Sequence, residues 1–463
     1  MVPKLRIAVV GGGIGGLAAA LALTRKGHEV RVYEQAPELR EAGVGMHLGP
    51  NGSRLLERWG LGERLRALGV RPAGMEVRDW SHGGTLVRQP MGEEWLAEFG
   101  APYYTIHRAD LHTMLAESLP SGTVRAGHRL ERFTETDGGV RLEFAGGSTA
   151  RADVLIGADG AHSVVRRTLA GPDTAVFSGQ SAFRGVVARD QVPGLPGDTL
   201  LVWAGPDARM LVYPVRGGRF LTFVAVVPDP RWRLESWSAP GDLDELAARF
   251  DGWNTDVKSL VAAVRESRRW ALYDREPLAR WSEGAVTLLG DAAHPMLPHH
   301  GQGVSQAVED AAVLAHCLDA TTGRDSSAAA SASASASAAS ASAASASSAF
   351  ASASSAFASA SSDSASASPA SASSVSASSV SASAARRAIA AALDAYEGVR
   401  RPHTTRVQLG SRGGGSQRLR PDEDGAESTG TMSSLVEDVS WIQRHDAEAG
   451  LPPLPPPSPS ATP

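Results

Sequence analysis

Ile7-Ala8-Val9-Val10-Gly11-Gly12-Gly13-Ile14-Gly15-Gly16-Leu17-Ala18-Ala19-Ala20 is the stretch that decides how the chain folds. Lys4 and Arg6 ahead of an apolar run have the outline of a secretory signal. Five glycines interrupt the run, however, and each costs a helix interior about 1 kcal/mol. The stretch therefore reads as a strand over 7–10, a turn, and a helix over 18–26 with Gly27 at its C-cap. The turn satisfies G-x-G-x-x-G: Gly11 permits the tight bend, Gly13 lets backbone approach a pyrophosphate, and Gly16 lets helix pack close to strand. The free N–H groups and partial positive charge of the helix start suit phosphates. Glu34 ends the next strand, over 30–33, where it would accept hydrogen bonds from a ribose and repel a 2′-phosphate. This motif alone serves FAD and NAD equally.

Working outward, the strand-and-turn pattern recurs twice. Val154-Leu155-Ile156-Gly157-Ala158-Asp159-Gly160, followed by Ser163 and Arg166, delivers an acid at a strand's carboxyl end, where open α/β sheets bind ligands; an ordinary Asp-Gly turn has the same appearance. Val286-Thr287-Leu288-Leu289-Gly290-Asp291 leads through His294-Pro295 and Pro298 to Gly301-Gln302-Gly303, which opens a helix with Val304, Ala307, Val308, Ala311, Leu314 and Leu318 on one face. Asp291 suits sugar or ribityl hydroxyls, and the helix start would stabilise negative charge at the N1–C2=O edge of a reduced flavin.

Between the second and third motifs, apolar runs over 200–203, 210–215 and 220–227 separated by Gly-Pro and Gly-Gly turns have an antiparallel-sheet signature. The expected organisation is α/β. A Rossmann-like dinucleotide domain spans 1–75, 101–180 and 276–324, a mainly antiparallel substrate domain is inserted at 76–100 and 181–275, and helices follow at 385–450. Residues 325–384 are nearly all Ser and Ala, too poor in apolar side chains to offset the entropy of ordering them, and 451–463 form a Pro-rich tail. After the insert, Ile389, Leu393 and Tyr396 share a helical stripe, so the insert divides two helices that could pack together.

A length of 463 residues suggests two domains, and 42% hydrophobic with 21% charged residues is ordinary for a globular protein. A net charge of -5 offers no case for nucleic acid or an anionic membrane, and no apolar run is long enough to span a bilayer. The single cysteine, Cys317, excludes an internal disulfide and a thiolate metal cage, which fits a cytoplasmic protein. His294, His299 and His300 match no metal-ligand spacing, so no metal is expected.

The three motifs, in this order and spacing, resemble the single-component FAD-dependent aromatic hydroxylases of the para-hydroxybenzoate hydroxylase fold, including salicylate, 3-hydroxybenzoate and urate hydroxylases and zeaxanthin epoxidase. Gly49-Pro50-Asn51-Gly52, His107-Arg108-Ala109-Asp110-Leu111 and Trp441-Ile442 with Asp446 fit the same group. The resemblance implies non-covalent FAD, NADH or NADPH as transient electron donor, and insertion of one oxygen of O2 into a small aromatic substrate through a C4a-hydroperoxyflavin; a homodimer is compatible with it. It implies that Gly11, Gly13, Gly16, Glu34 and Gln35 hold the adenosine and pyrophosphate half, with Leu130 near the adenine and Arg108 at the pyrophosphate or ribityl chain. Asp159 would serve FAD and the nicotinamide donor, Asp291 the ribityl chain, and Gly301, Gln302, Gly303, Val304 and Ser305 the isoalloxazine edge. His47 falls where relatives place a polar residue near the flavin, or is a turn histidine.

The substrate would lie under the second sheet, where Arg209, Leu211 and Tyr213 share a face. Relatives place a His at the position of Arg209, and an arginine cannot act as a base near neutral pH. Arg209 would instead anchor a carboxylate or phenolate, unless it is a surface residue of an edge strand. Tyr213 would hydrogen-bond the substrate, Gln302 would orient it from the flavin side, and Arg184 is a further candidate. An epoxidase or antibiotic-modifying monooxygenase of the same fold, or a flavin-binding protein without turnover, remain the alternatives.

Overall fold

A computed structural model describes residues 4–39, 43–230, 239–320, 377–413, 433–449 and 451. The expected first strand, Arg6–Val10, lies inside a six-stranded sheet. Its order is Ser282–Glu283, Val286–Leu288, Val154–Gly157, Arg6–Val10, Glu29–Tyr33 and Val124–Arg125, parallel except for the hairpin of the first two. All three motif strands are thus adjacent, with Val10 level with Gly157 and Gly157 level with Leu288. Parallel strands send their carboxyl ends to one edge, so turns more than 100 residues apart in sequence open side by side.

The first helix, Ile14–Arg25, begins four residues before the apolar pattern suggested, directly at the glycine turn. It packs on Gly303–Ala320, which packs in turn on Ala377–Gly413. This last helix starts at Ala377, before the expected 385. Its stripe of Ile389, Leu393 and Tyr396 is buried, as expected. Residues 325–376 of the Ser/Ala segment and 452–463 of the tail lie outside the described residues.

The second sheet has seven strands in the order Arg268–Asp274, Val176–Ala188, Phe220–Pro228, Arg209–Val215, Thr199–Ala204, Gly74–Asp79 and Thr85–Pro90. Only the Thr199–Ala204/Gly74–Asp79 pair is parallel. Behind it, Leu243–Arg249 and Thr255–Ala263 cover a core of Phe183, Trp203, Met210, Val212 and Phe223. Its other face meets the ribbon of Gly45–Leu48 and Tyr104–His107, where Gly45 N–H donates to Thr222 Oγ1 at 3.0 Å. No helix among the described residues is long and apolar enough to cross a membrane.

Candidate functional site

In the glycine turn, Gly11 has φ +108°, and a Cβ there would lie 2.2 Å from Ala158 O. A Cβ on Gly16 would lie 2.0 Å from Gly11 O, whereas one on Gly13 would meet nothing within 4 Å among the described residues. Two glycines are therefore needed by the fold itself, and the third leaves an open face at the helix start. Glu34 accepts the N–H of Gly12 and of Ala36, each at 2.7 Å, so it shapes the turn while each oxygen keeps a second acceptor site. Gly12, Gly13, Glu34, Ala36, Glu38, Leu39 and His112 line a cleft of about 120 Å³. Gln35 is exposed beside it. His128 N–H bonds Glu34 O at 2.7 Å and leads the strand Leu130–Thr136 away, with Leu130 buried. Arg108 opens the helix Arg108–Glu117 one turn before His112, whose Nε2 meets Gly12 O at 2.7 Å. His112 escaped the sequence reading, though its i+4 spacing from Arg108 places the two on one helix face.

Asp159 accepts the Ser163 hydroxyl and the N–H of Val164 at 2.7 Å, capping the helix Val164–Ala170. Arg166, buried, donates to the carbonyls of Asp291 and Ala292, each at 3.2 Å. The second motif thereby clamps the backbone of the third. Asp291 is exposed, its Oδ1 3.9 Å from where a Cβ on Gly303 would sit. Gly301, at φ +61°, closes on His47, and Ser305 Oγ accepts Gly49 N–H at 3.1 Å. Val304 is half-buried at the start of the helix. The carboxamide of Gln302, 2% exposed, is turned under the loop, where its Oε1 accepts Asn51 Nδ2 at 3.0 Å.

Arg209–Val215 pairs on both sides, so Arg209 does not lie on an edge strand. Met210 and Val212 enter the core behind the sheet, while Leu211 and Tyr213 belong to the cluster on the opposite face. By the two-residue period Arg209 shares that face. Tyr213 is buried with its ring 4.3 Å from that of His47. His47 Nδ1 lies 2.7 Å from the Tyr103 hydroxyl, and its buried Nε2 has no hydrogen-bond partner among the described residues. Burial pushes the His47 pKa down to about 4 and raises those of the Tyr103 and Tyr213 hydroxyls, keeping all three neutral. Arg209 donates to His299 Nδ1, and burial pushes its pKa down to about 10, so it stays charged at neutral pH. Arg184, on the same face by register, holds its guanidinium 4.7 Å from the Trp270 ring centroid.

The three loop histidines face different partners: His294 Nε2 meets Asp310 at 2.6 Å, His299 meets Arg209, and His300 lies against Gly410. Glu309, His403 and His445 bring ligand atoms within 4.8 Å of one another. The two imidazoles are stacked, however, with centroids 3.8 Å apart and planes 22° apart, so their in-plane lone pairs do not converge on one ion.

The FAD binding domain family matches residues 4–347. A 3-amino-4-hydroxybenzoate 2-monooxygenase of Streptomyces platensis is 46% identical over 316 residues, covering 68% of this chain and 80% of the relative. A 6-hydroxynicotinate 3-monooxygenase of Bordetella bronchiseptica is 41% identical over 329 residues, covering 70% and 86%. A 3-hydroxybenzoate 6-hydroxylase of Polaromonas naphthalenivorans is 39% identical over 319 residues, covering 68% and 79%. Among solved structures, a salicylate hydroxylase substrate complex superposes with TM-score 0.70 at 28% identity over 99% of both chains. Klebsiella pneumoniae HpxO complexed with FAD and uric acid gives 0.70 at 26%, over 97% of this chain and 95% of that one.

Proposed function

The chain belongs to the family of FAD-dependent aromatic monooxygenases, and from that premise we propose that its substrate is a small hydroxyarene carrying a carboxylate. The observation that carries this reading is the polarity of one sheet face. A charged Arg209 stands at one end, and a neutral Tyr213 packed on His47 stands four residues away, about 13 Å along the strand. Three relatives are named for carboxylated hydroxyarenes or their aza-analogue, which supports the same choice.

The residues fit FAD. The open face of Gly13 leaves room for a pyrophosphate at a helix start, Asp291 stands exposed for ribityl hydroxyls, and the N–H groups opening Gly303–Ala320 suit the N1–C2=O edge. Gly11 and Gly16 make the turn that brings Gly13 there, and Glu34, Gln35 and Leu130 would flank the adenosine, with Arg108 near the phosphates. Asp159 acts by fixing the turn beside them. When bound and reduced by NADH or NADPH, FAD supplies the electrons and the activation of O2.

The protein's own share is binding, orientation and one proton. Arg209 would hold the carboxylate, and Tyr213 would hydrogen-bond the ring hydroxyl. With Nδ1–H donated to the Tyr103 oxygen, His47 Nε2 carries a lone pair that would take the hydroxyl proton, making the ring more nucleophilic. The substrate's negative charge would raise the His47 pKa from its resting value and favour that transfer. Gln302, held by Asn51, we assign to the loop rather than to the substrate.

Purified protein should be yellow and should oxidise NAD(P)H faster when hydroxylated benzoates or nicotinates are added. Arg209→Ala should raise KM at least about tenfold, the loss of one charge-assisted contact, for carboxylated substrates alone. An unchanged KM across the panel would remove the anchoring role.

A further inference from the structure

We propose that the C-terminal strap, residues 441–448, is a positioning element of the cofactor site, acting on the loop at Gly301, Gln302 and Gly303 through His445, Glu309 and Asn51. The inference rests on the assignment of that loop to the isoalloxazine edge. The connections are continuous. His445 Nδ1 lies 2.7 Å from Glu309 Oε2, Glu309 Oε1 accepts Asn51 Nδ2 at 2.5 Å, and the same Nδ2 donates to Gln302 Oε1 at 3.0 Å. Asn51 and Glu309 are fully buried, so each hydrogen bond is made in a low-dielectric setting where losing a partner is costly.

A second contact runs in parallel. Gln443 is 4% exposed, and its buried Oε1 has no hydrogen-bond partner among the described residues. A Cβ placed on Gly49 would lie 2.3 Å from that oxygen, 2.7 Å from Asn51 Oδ1 and 3.2 Å from Gln302 Nε2. The strap therefore seats on the bare α-carbon of Gly49, whose N–H is bound by Ser305. It is pinned from outside: Arg58 pairs with Asp446 at 2.6 Å, Arg54 donates to His445 O at 2.8 Å, and the Arg406 guanidinium lies 3.8 Å from the Trp441 ring centroid.

A segment that only added stability would change melting without changing the flavin. A segment that sets the loop would change flavin affinity and potential even where folding is intact. The experiment uses full-length protein, stripped of flavin and reloaded, with FAD affinity measured by fluorescence titration, flavin midpoint potential by dye equilibration, and melting of the apoprotein. His445→Ala should weaken FAD binding about tenfold and shift the potential, beyond whatever the loss of a partner to the buried Glu309 costs in apoprotein melting. His445→Gln, which can still donate to Glu309, should restore wild-type values. Gln443→Ala should weaken FAD binding in the same direction and serves where His445→Ala does not fold. Wild-type FAD affinity and potential in both alanine variants would overturn the proposal whatever the melting shows, as would a glutamine variant no better than alanine. Failure of the wild-type protein to bind FAD would instead overturn the cofactor site itself.

Discussion

His47 is the residue whose surroundings most constrain the chemistry. One nitrogen faces Tyr103, the other is buried and unpartnered among the described residues, and Gly301 packs against its Cβ. A histidine with its pKa pushed down to about 4 remains neutral, and so able to accept a proton, throughout the range in which an ordinary histidine is charging. In kcat/KM, which reports the free enzyme, the acid limb from this group should therefore fall near pH 4 rather than 6.5. In kcat it should move upward, because bound substrate brings negative charge. His47→Ala should lower kcat by about 10²–10⁴-fold, the usual contribution of a general base, and a strongly basic assay that ionises the substrate in solution should recover part of the loss. Stability follows the same sign. Above pH 6.5 the group is neutral in both states; as pH falls toward 4 the unfolded imidazole gains a proton that the folded one refuses, so the fold loses stability in that window. A pH–rate profile with its limb at 6.5, unmoved by His47→Ala, would assign the proton to another group.

At the scale of elements, the glycine turn separates fold from binding. Gly16→Ala forces a methyl to within 2.0 Å of Gly11 O, so it should destabilise the apoprotein. Gly13 has φ −72° and open space around it among the described residues, so an alanine fits there and costs about 1 kcal/mol as the poorer N-cap. Gly13→Ala should therefore melt within a few degrees of wild type without FAD yet bind FAD far more weakly, because the methyl occupies the face a pyrophosphate would use. Thermal melts of both apoproteins, paired with FAD titrations, distinguish the two outcomes; equal FAD affinity for Gly13→Ala and wild type would mean that the phosphates lie elsewhere. This turn was legible in the sequence because its constraints are local: strand, bend and helix start are adjacent residues. The alternation of Arg209, Leu211 and Tyr213 was legible for the same reason, since a strand's period is two. Partners supplied by distant segments were not. Tyr103 reaches His47 only because Gly45–Leu48 pairs with Tyr104–His107, and Arg166 reaches Asp291 only because their strands are neighbours.

Across the whole molecule, the helix Gly303–Ala320 is where local reading fell shortest. Its sequence shows one apolar face, yet Gln306, Glu309 and Asp310 are also fully buried, because Ala377–Gly413 packs on this helix as well as Ile14–Arg25. Arg400, also buried, comes from that second helix to bond Glu309, Asp310 at 2.8 Å and Gln306 Oε1 at 2.8 Å. Burial alone would raise both carboxyl pKa values. Arg400, with His445 at Glu309 and His294 at Asp310, outweighs it and holds each down to about 2. Carboxyls depressed in this way contribute stability that is fully present above about pH 4.5 and is lost as pH falls toward 2. Arg400→Met keeps the volume and removes the charge, stranding two buried carboxylates. Breaking such a network from one side costs about 3–5 kcal/mol. The variant should therefore be destabilised by that order at pH 7, and the gap should narrow on acidification: below about pH 4.5 the unfolded wild type takes up protons that its folded carboxyls refuse, while the variant's stranded carboxyls accept them. Denaturant unfolding of wild type and variant from about pH 3 to about pH 7, a range that crosses the ordinary carboxyl values of 4.5 and 3.8, tests both parts. A pH-independent gap would mean that Arg400 acts through packing, and equal stability at pH 7 would mean that the helices divided by the Ser/Ala segment are held together by their apolar faces alone.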